Sequence, residues 1–285
     1  MQEQAVTGLR QTVSLDGAWE FRHEQGPWRV AQVPGPWQAQ FADLRHSSGR
    51  AVYRRRFSVP DHAPGTEVVL RFGAVFHFAE VRVNGIPVGR SDNGWLPFDC
   101  VVPASVLRSD NEVAVHCLVP DGDRATSPDA PFAEIPHGKQ SWYGPQGGIW
   151  QSVALELRHP CHLTRVAISA EVDGRVGLTL QLPEAAAGAE VRLTVIDPTG
   201  ARVLHHDLTA TCPTTSATVK VESPRLWSTD RPDLYRLRVE LARGAVLDRS
   251  EHSFGFRRFE ARDGRFFLNG EPFYMRAALD RGHLA

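Results

Sequence analysis

Val81-Arg82-Val83-Asn84-Gly85-Ile86-Pro87-Val88-Gly89 is the stretch on which the fold turns. Val81 and Val83 alternate with Glu80 and Arg82, the period of a strand with one buried and one wet face. Asn84-Gly85 then breaks the pattern, and both central residues of a type I′ hairpin turn need the positive φ that Asn and Gly tolerate best. The same pattern recurs along the chain. Val176, Leu178, Leu180 and Leu182 alternate with polar or small residues, as do Val191, Leu193 and Val195, and Tyr235, Leu237, Val239 and Leu241. Asn269-Gly270 marks a second tight hairpin, and Asp197-Pro198-Thr199-Gly200 reads as a type I turn. Helical periodicity is almost absent, since the tract 184–187 is short and lies between Pro183 and Gly188. The fold class is all-β, and the strand spacing suggests sandwiches.

Composition narrows the function. Of 285 residues, 42% are hydrophobic and 23% charged, shares that exclude a disordered tail. Lys and Arg number 32 against 33 acidic residues, so no basic surplus points to nucleic acid. No run of about 18 apolar residues could span a bilayer. The start, MQEQAVTGLRQTVSLDG, lacks an apolar core behind a basic end, so a cytoplasmic setting is expected. Cys100, Cys117, Cys161 and Cys212 are scattered, which reads as small buried residues and predicts neither a disulfide framework nor a zinc site.

Several catalytic-looking fragments fail on context. Gly138-Lys139-Gln140-Ser141 resembles the end of a phosphate loop, but Gln140 stands where Ser or Thr must hold magnesium. His205 and His206 would point to opposite faces of a strand and cannot share a metal. No H-E-x-x-H and no G-x-S-x-G occurs, so neither a metal nor a cofactor is expected.

A boundary is expected near residues 158–160. Before it fall Trp19, Trp28, Trp37, Trp95, Trp142 and Trp150, six of the seven tryptophans, and an irregular stretch over 120–148 rich in Pro, Gly and Asp. After it, regular strands run to Phe256, the size of an immunoglobulin-like sandwich. The expected organisation is a first sandwich over 1–158, a second over 159–256, and a hairpin with one more strand (273–279) in 257–285. Just before the first boundary, His137 to Val153 places Trp142, Tyr143 and Trp150 beside the donors Lys139, Gln140 and Ser141. A pyranose offers an apolar C–H face for an aromatic ring and hydroxyls for such donors. The same rings could instead simply pack beneath a long loop, and composition leaves both readings open.

Ordered motifs add to this. Leu15-Asp16-Gly17-Ala18-Trp19-Glu20-Phe21, Tyr53-Arg54-Arg55-Arg56-Phe57, the Val81–Gly89 stretch and Gly94-Trp95-Leu96-Pro97-Phe98-Asp99 come first. Gly147-Gly148-Ile149-Trp150-Gln151-Ser152-Val153, Leu226-Trp227-Ser228 with Pro232-Asp233-Leu234-Tyr235, Phe254-Gly255-Phe256-Arg257-Arg258 and Phe267-Leu268-Asn269-Gly270-Glu271-Pro272 follow. In this order they resemble the N-terminal part of glycoside hydrolase family 2, the β-galactosidase, β-glucuronidase and β-mannosidase group. The resemblance implies a jelly-roll (galactose-binding-like) sugar-binding sandwich, an immunoglobulin-like sandwich, and the first residues of a TIM-barrel catalytic domain. It also implies a parent enzyme that is a retaining exo-β-glycosidase whose two catalytic glutamates lie in the barrel, a unit of about 250 residues. This chain alone is then expected to be inactive, with no catalytic residue of its own.

The family's acid/base follows an asparagine, and Asn111-Glu112 offers such a pair. It precedes an apolar run over 113–119, where it reads as a turn entering a sheet, with no nucleophile about 5 Å away. Galactosidases and glucuronidases of the family place an aspartate six residues before the second glycine of Gly147-Gly148; here that position is Trp142, so the sugar stays unnamed. The substrate-binding candidates are Lys139, Gln140, Trp142 and Tyr143, with a carbohydrate as partner, a missing C-terminal barrel, and a homo-oligomer left open. The rivals are a free-standing carbohydrate-binding module and a ligand-free adhesion sandwich. The apolar strand after Asn269-Gly270 favours the enzyme fragment, because a complete binding module has no use for it.

Overall fold

The computed structural model describes residues 9–125, 127–128, 130–135 and 146–278. The chain divides into two compact units, one built on Gln11–Leu157 and the other on Arg158–Leu279 with Arg10.

In the first unit a six-stranded antiparallel sheet runs in the order Arg29–Val33, Gly17–His23, Gly49–Phe57, Asn111–Val119, Phe78–Val83, Ile86–Ser91. A four-stranded sheet, Gln11–Ser14, Val153–Arg158, Glu67–Phe72 and Phe98–Val102, contributes the opposing side of the core. The alternation read in the sequence is the burial pattern observed. Ala79, Val81 and Val83 face inward with Tyr53, Val113, Val115, Leu70 and Leu155, while Glu80 and Arg82 face out. Asn84 and Gly85 take φ of 52° and 83°, the left-handed pair that a type I′ turn requires.

Family-type motifs serve as brackets here. The indole of Trp19 donates to Leu15 O (2.8 Å), Val153 N donates to the Asp16 carboxylate (2.8 Å), and Arg55 reaches Asp16 O (3.1 Å) and Ala18 O (3.2 Å). Asn111 and Glu112 do not form a turn before the sheet: the strand already begins at Asn111, which pairs with Phe57. The reason is hydrogen bonding. Buried Asn111 donates to Arg108 O and accepts from Arg108 N (both 2.8 Å), closing the preceding turn with its side chain, and it accepts from Asn84 Nδ2 (2.9 Å).

The second unit has a three-stranded sheet, Arg165–Ala170, Arg175–Gln181, Thr214–Lys220, and a four-stranded sheet, Arg202–Thr209, Glu190–Ile196, Tyr235–Arg243, Ala245–Phe254. Seven antiparallel strands in two sheets around Val176, Leu178, Leu193, Leu237 and Val239 make an immunoglobulin-like sandwich. Arg10 and Asp248 form a nearly buried ion pair in it (2.7 Å), and Asp248 also accepts from Leu163 N.

The end of the described chain differs from expectation. Phe259–Arg262, Arg265–Leu268 and Glu271–Phe273 form their own three-stranded sheet, and the final strand stops at Phe273 instead of continuing over 273–279. Among the described residues its neighbour is the four-residue strand Arg265–Leu268, and their pairing ends at Phe273 opposite Phe266. The Asn269 turn is fixed by its side chain, which accepts from Arg258 N (3.0 Å) and donates to Trp227 O (3.0 Å).

Candidate functional site

Lys139, Gln140, Trp142 and Tyr143 lie outside the described residues, as does all of 136–145. What is described is the frame from which that loop leaves and to which it returns. Ile135 is buried on the entry side. On the exit side Gly147 N donates to the buried amide of Gln38 (2.7 Å), Gly147 O accepts from Trp37 N (3.2 Å), and Ile149 O accepts from Gly35 N (2.9 Å). Gly148 and Ile149 pair with Phe76 and Val75.

Two glycines are needed for this approach. A Cβ on Gly147 would run into the indole of Trp37, which is itself fully buried and tied by its N–H to Ser47 Oγ (2.9 Å). Gly148 holds φ +88°, and a side chain there would collide with the Tyr53 ring and hydroxyl. The loop therefore springs from a rigid base.

Beside that base stands an aromatic step. Trp150 and Trp95 meet edge to face (5.3 Å), Trp95 meets Phe76 in the same way (5.7 Å), and the Trp150 N–H donates to Gly94 O (2.8 Å). Both tryptophans are half-buried. The Asn93 side chain accepts from Trp95 N (2.9 Å) and Leu96 N (3.2 Å), which fixes the short segment carrying Trp95. His77 lies between the rings of Phe76 and Phe78, its Nδ1 without a hydrogen-bond partner among the described residues. Burial pushes its pKa down, against the pull of Asp92.

Half-exposed indoles on a rigid frame can stack a sugar's C–H face; they cannot hydrolyse a glycosidic bond. Glu112 is no candidate acid here, since it stands in mid-sheet opposite Arg56, its backbone N–H held by Asn84 Oδ1 (3.0 Å). Among the described residues no group of three His, Cys, Asp or Glu side chains is placed to hold a metal. No described helix is long and apolar enough to cross a membrane. Sequence reasoning found the loop but missed Trp95 and Gln38. Trp95 carried a usable signal, an aromatic after glycine in a Gly/Pro-bounded segment; a lone Gln38 carried none.

Two β-sandwiches in series, the first with an aromatic-edged loop frame, define a sugar-recognition scaffold. The model of the glycosyl hydrolases family 2 sugar binding domain matches residues 4–156, and that of glycosyl hydrolases family 2 matches 161–257. The chain belongs to glycosyl hydrolases family 2. It is 28% identical over 250 residues to a β-glucuronidase of Paenibacillus borealis, covering 83% of this chain and 41% of that protein. It is also 28% identical over 233 residues to a β-galactosidase of Thermoanaerobacter pseudethanolicus, covering 79% of this chain and 30% of that one. The structure of Bifidobacterium dentium β-glucuronidase complexed with coumarin-3-O-glucuronide superposes with a TM-score of 0.78 at 23% identity, over 95% of this chain and 52% of that one. The chain thus spans about half or less of these relatives and corresponds to their N-terminal, non-catalytic part.

Proposed function

We propose that the protein to which this chain belongs is a retaining exo-β-glycosidase, and that the chain supplies sugar recognition to it. In such an enzyme one glutamic acid protonates the leaving oxygen while a second glutamate forms the glycosyl-enzyme that water hydrolyses. The assignment of 1–158 as jelly roll, 159–256 as immunoglobulin-like sandwich and 257–285 as the approach to a barrel belongs to the same proposal. So does the role of Lys139, Gln140, Trp142 and Tyr143 as part of the wall of the sugar site. One observation carries it: the frame of Gly35, Gln38, Gly147 and Ile149 holds both the base of that loop and the Trp95–Trp150 step. Four unpaired cysteines support a reducing, cytoplasmic setting.

The test is Trp142→Ala in the complete gene product. The proposal expects the melting temperature to stay within about a degree while kcat/KM on the best nitrophenyl glycoside falls about tenfold or more. A fall of many degrees, as on losing a buried aromatic worth about 3–5 kcal/mol, would make Trp142 a packing residue and defeat the assignment.

A further inference from the structure

The outer face of the six-stranded sheet is not flat. It carries an open trough of about 810 Å³, floored by Val52, Phe78 and Leu118 and edged by Arg22, Arg50 and Arg90. Strand register sets Arg22 and Arg90 in one cross-strand row. Arg22 lies opposite Val52, Val52 opposite His116, His116 opposite Glu80, and Glu80 opposite Arg90. Neighbouring strands are about 4.8 Å apart, so the Cα atoms of Arg22 and Arg90 each stand about 10 Å from that of His116. Arg22 and Arg90 thus stand about 19 Å apart, one on either side of the apolar floor.

Three carboxylates, Glu24, Glu80 and Asp92, line the trough with the arginines, and two of them are engaged elsewhere. Glu80 pairs with Arg82 (2.6 Å), and the Glu24 carboxylate accepts from Arg50 N (2.5 Å). No side-chain carboxylate is paired with Arg22, Arg50 or Arg90 among the described residues. Arg22 stacks instead on Trp28 (4.8 Å), beside Arg54 (3.8 Å), and its Nε is buried without a partner. The His116 pKa is held down first by burial, with Arg82 and Arg22 adding to the shift and Glu80 opposing it.

We infer that this trough binds an anionic saccharide, its carboxylate or sulfate groups held by Arg22, Arg50 and Arg90 and its ring resting on the Val52–Phe78–Leu118 floor. Guanidinium forks match planar carboxylate and sulfate oxygens two at a time, and the apolar floor suits the C–H face of a pyranose. The site draws on none of the 136–145 loop, so it stands or falls independently of the reading proposed above.

The test is calorimetric titration of the 285-residue chain at low ionic strength with three probes. Hexagalacturonate carries carboxylates, a chondroitin sulfate hexasaccharide adds sulfates, and cellohexaose carries no charge. Binding of either charged probe, at least tenfold tighter than cellohexaose and weakened by 0.5 M salt, is expected; comparison of the two charged probes tells carboxylate from sulfate. Arg50 and Arg90 are exposed, so Arg50→Gln and Arg90→Gln should leave the circular dichroism spectrum unchanged while each weakens binding about tenfold. Trp142→Ala should leave it unaltered. Failure of both charged probes to bind, cellohexaose binding equally well, or full affinity in the Arg50→Gln/Arg90→Gln double variant would overturn the inference.

Discussion

The Tyr53 hydroxyl fills the space into which a side chain on Gly148 would project. Tyr53 is fully buried, and among the described residues its hydroxyl completes no hydrogen bond of good geometry, although the backbone of Ile149 lies next to it. Gly148→Ala therefore meets two penalties, a left-handed φ of +88° and a collision. We predict destabilisation of about 2–5 kcal/mol. Tyr53→Phe removes an unsatisfied hydroxyl and should be close to neutral, and combined with Gly148→Ala it should restore part of the loss. Chemical denaturation of the four proteins of this cycle is the check; strict additivity would mean that the two residues do not meet.

Asn111 and Glu112 should separate cleanly. Asn111→Ala breaks three hydrogen bonds within the Arg108 turn and to Asn84, and should cost about 2–4 kcal/mol. Glu112→Gln leaves its backbone bond to Asn84 in place and should shift the melting temperature by less than about a degree. Thermal unfolding of both variants decides; a large loss in Glu112→Gln would contradict the bracket assigned to Asn111.

The thiols should react unequally. Burial pushes Cys100 up to about 12 and Cys117 well above the usual thiol range, and raises Cys161, so almost no thiolate exists at pH 8. Cys212 is less buried, its thiol donating to Pro183 O (3.0 Å). Ellman titration of the native chain at pH 8 should count one fast thiol at most, rising to four in guanidinium. Fast reaction of two or more in the folded protein would show that at least one of the buried thiols Cys100, Cys117 and Cys161 is open to solvent.

Tyr274 is 85% and Met275 46% exposed, just after a three-stranded sheet that exposes Phe259 and Phe266 and whose outer strands have no further strand partner among the described residues. Apolar rings beside unpaired edges favour self-association. Tyr274→Ser with Met275→Ser should lower concentration-dependent light scattering without moving the main thermal transition. A drop of many degrees would instead place these side chains in the folded core.

Much of this architecture could be read from the sequence, because strand alternation and tight-turn chemistry are local. Val81 and Val83 point inward and Asn84-Gly85 turns for reasons held within six residues. The motifs that mark the family proved to be mostly structural brackets: Asp16 on Val153, Trp19 on Leu15, Asn84 on Asn111, Asn269 on Trp227. Long-range placement was not legible. Nothing local says that Gln38 receives Gly147 or that Trp95 lies against Trp150, since each contact joins segments more than fifty residues apart. The apolar run over 273–279 predicts a longer strand than the one that ends at Phe273, because the run continues while the described pairing with Arg265–Leu268 does not. The arginine trough was equally hidden, as it exists only once five strands are set in register.

The most direct test of the central claim assays the 285-residue chain and the complete gene product side by side on a panel of nitrophenyl β-glycosides. The account predicts that the complete protein hydrolyses at least one of them with retention at the anomeric carbon, while the chain alone releases no nitrophenol above background. Turnover by the purified chain that disappears in Glu112→Gln would contradict it, by placing the catalytic acid in the first sandwich.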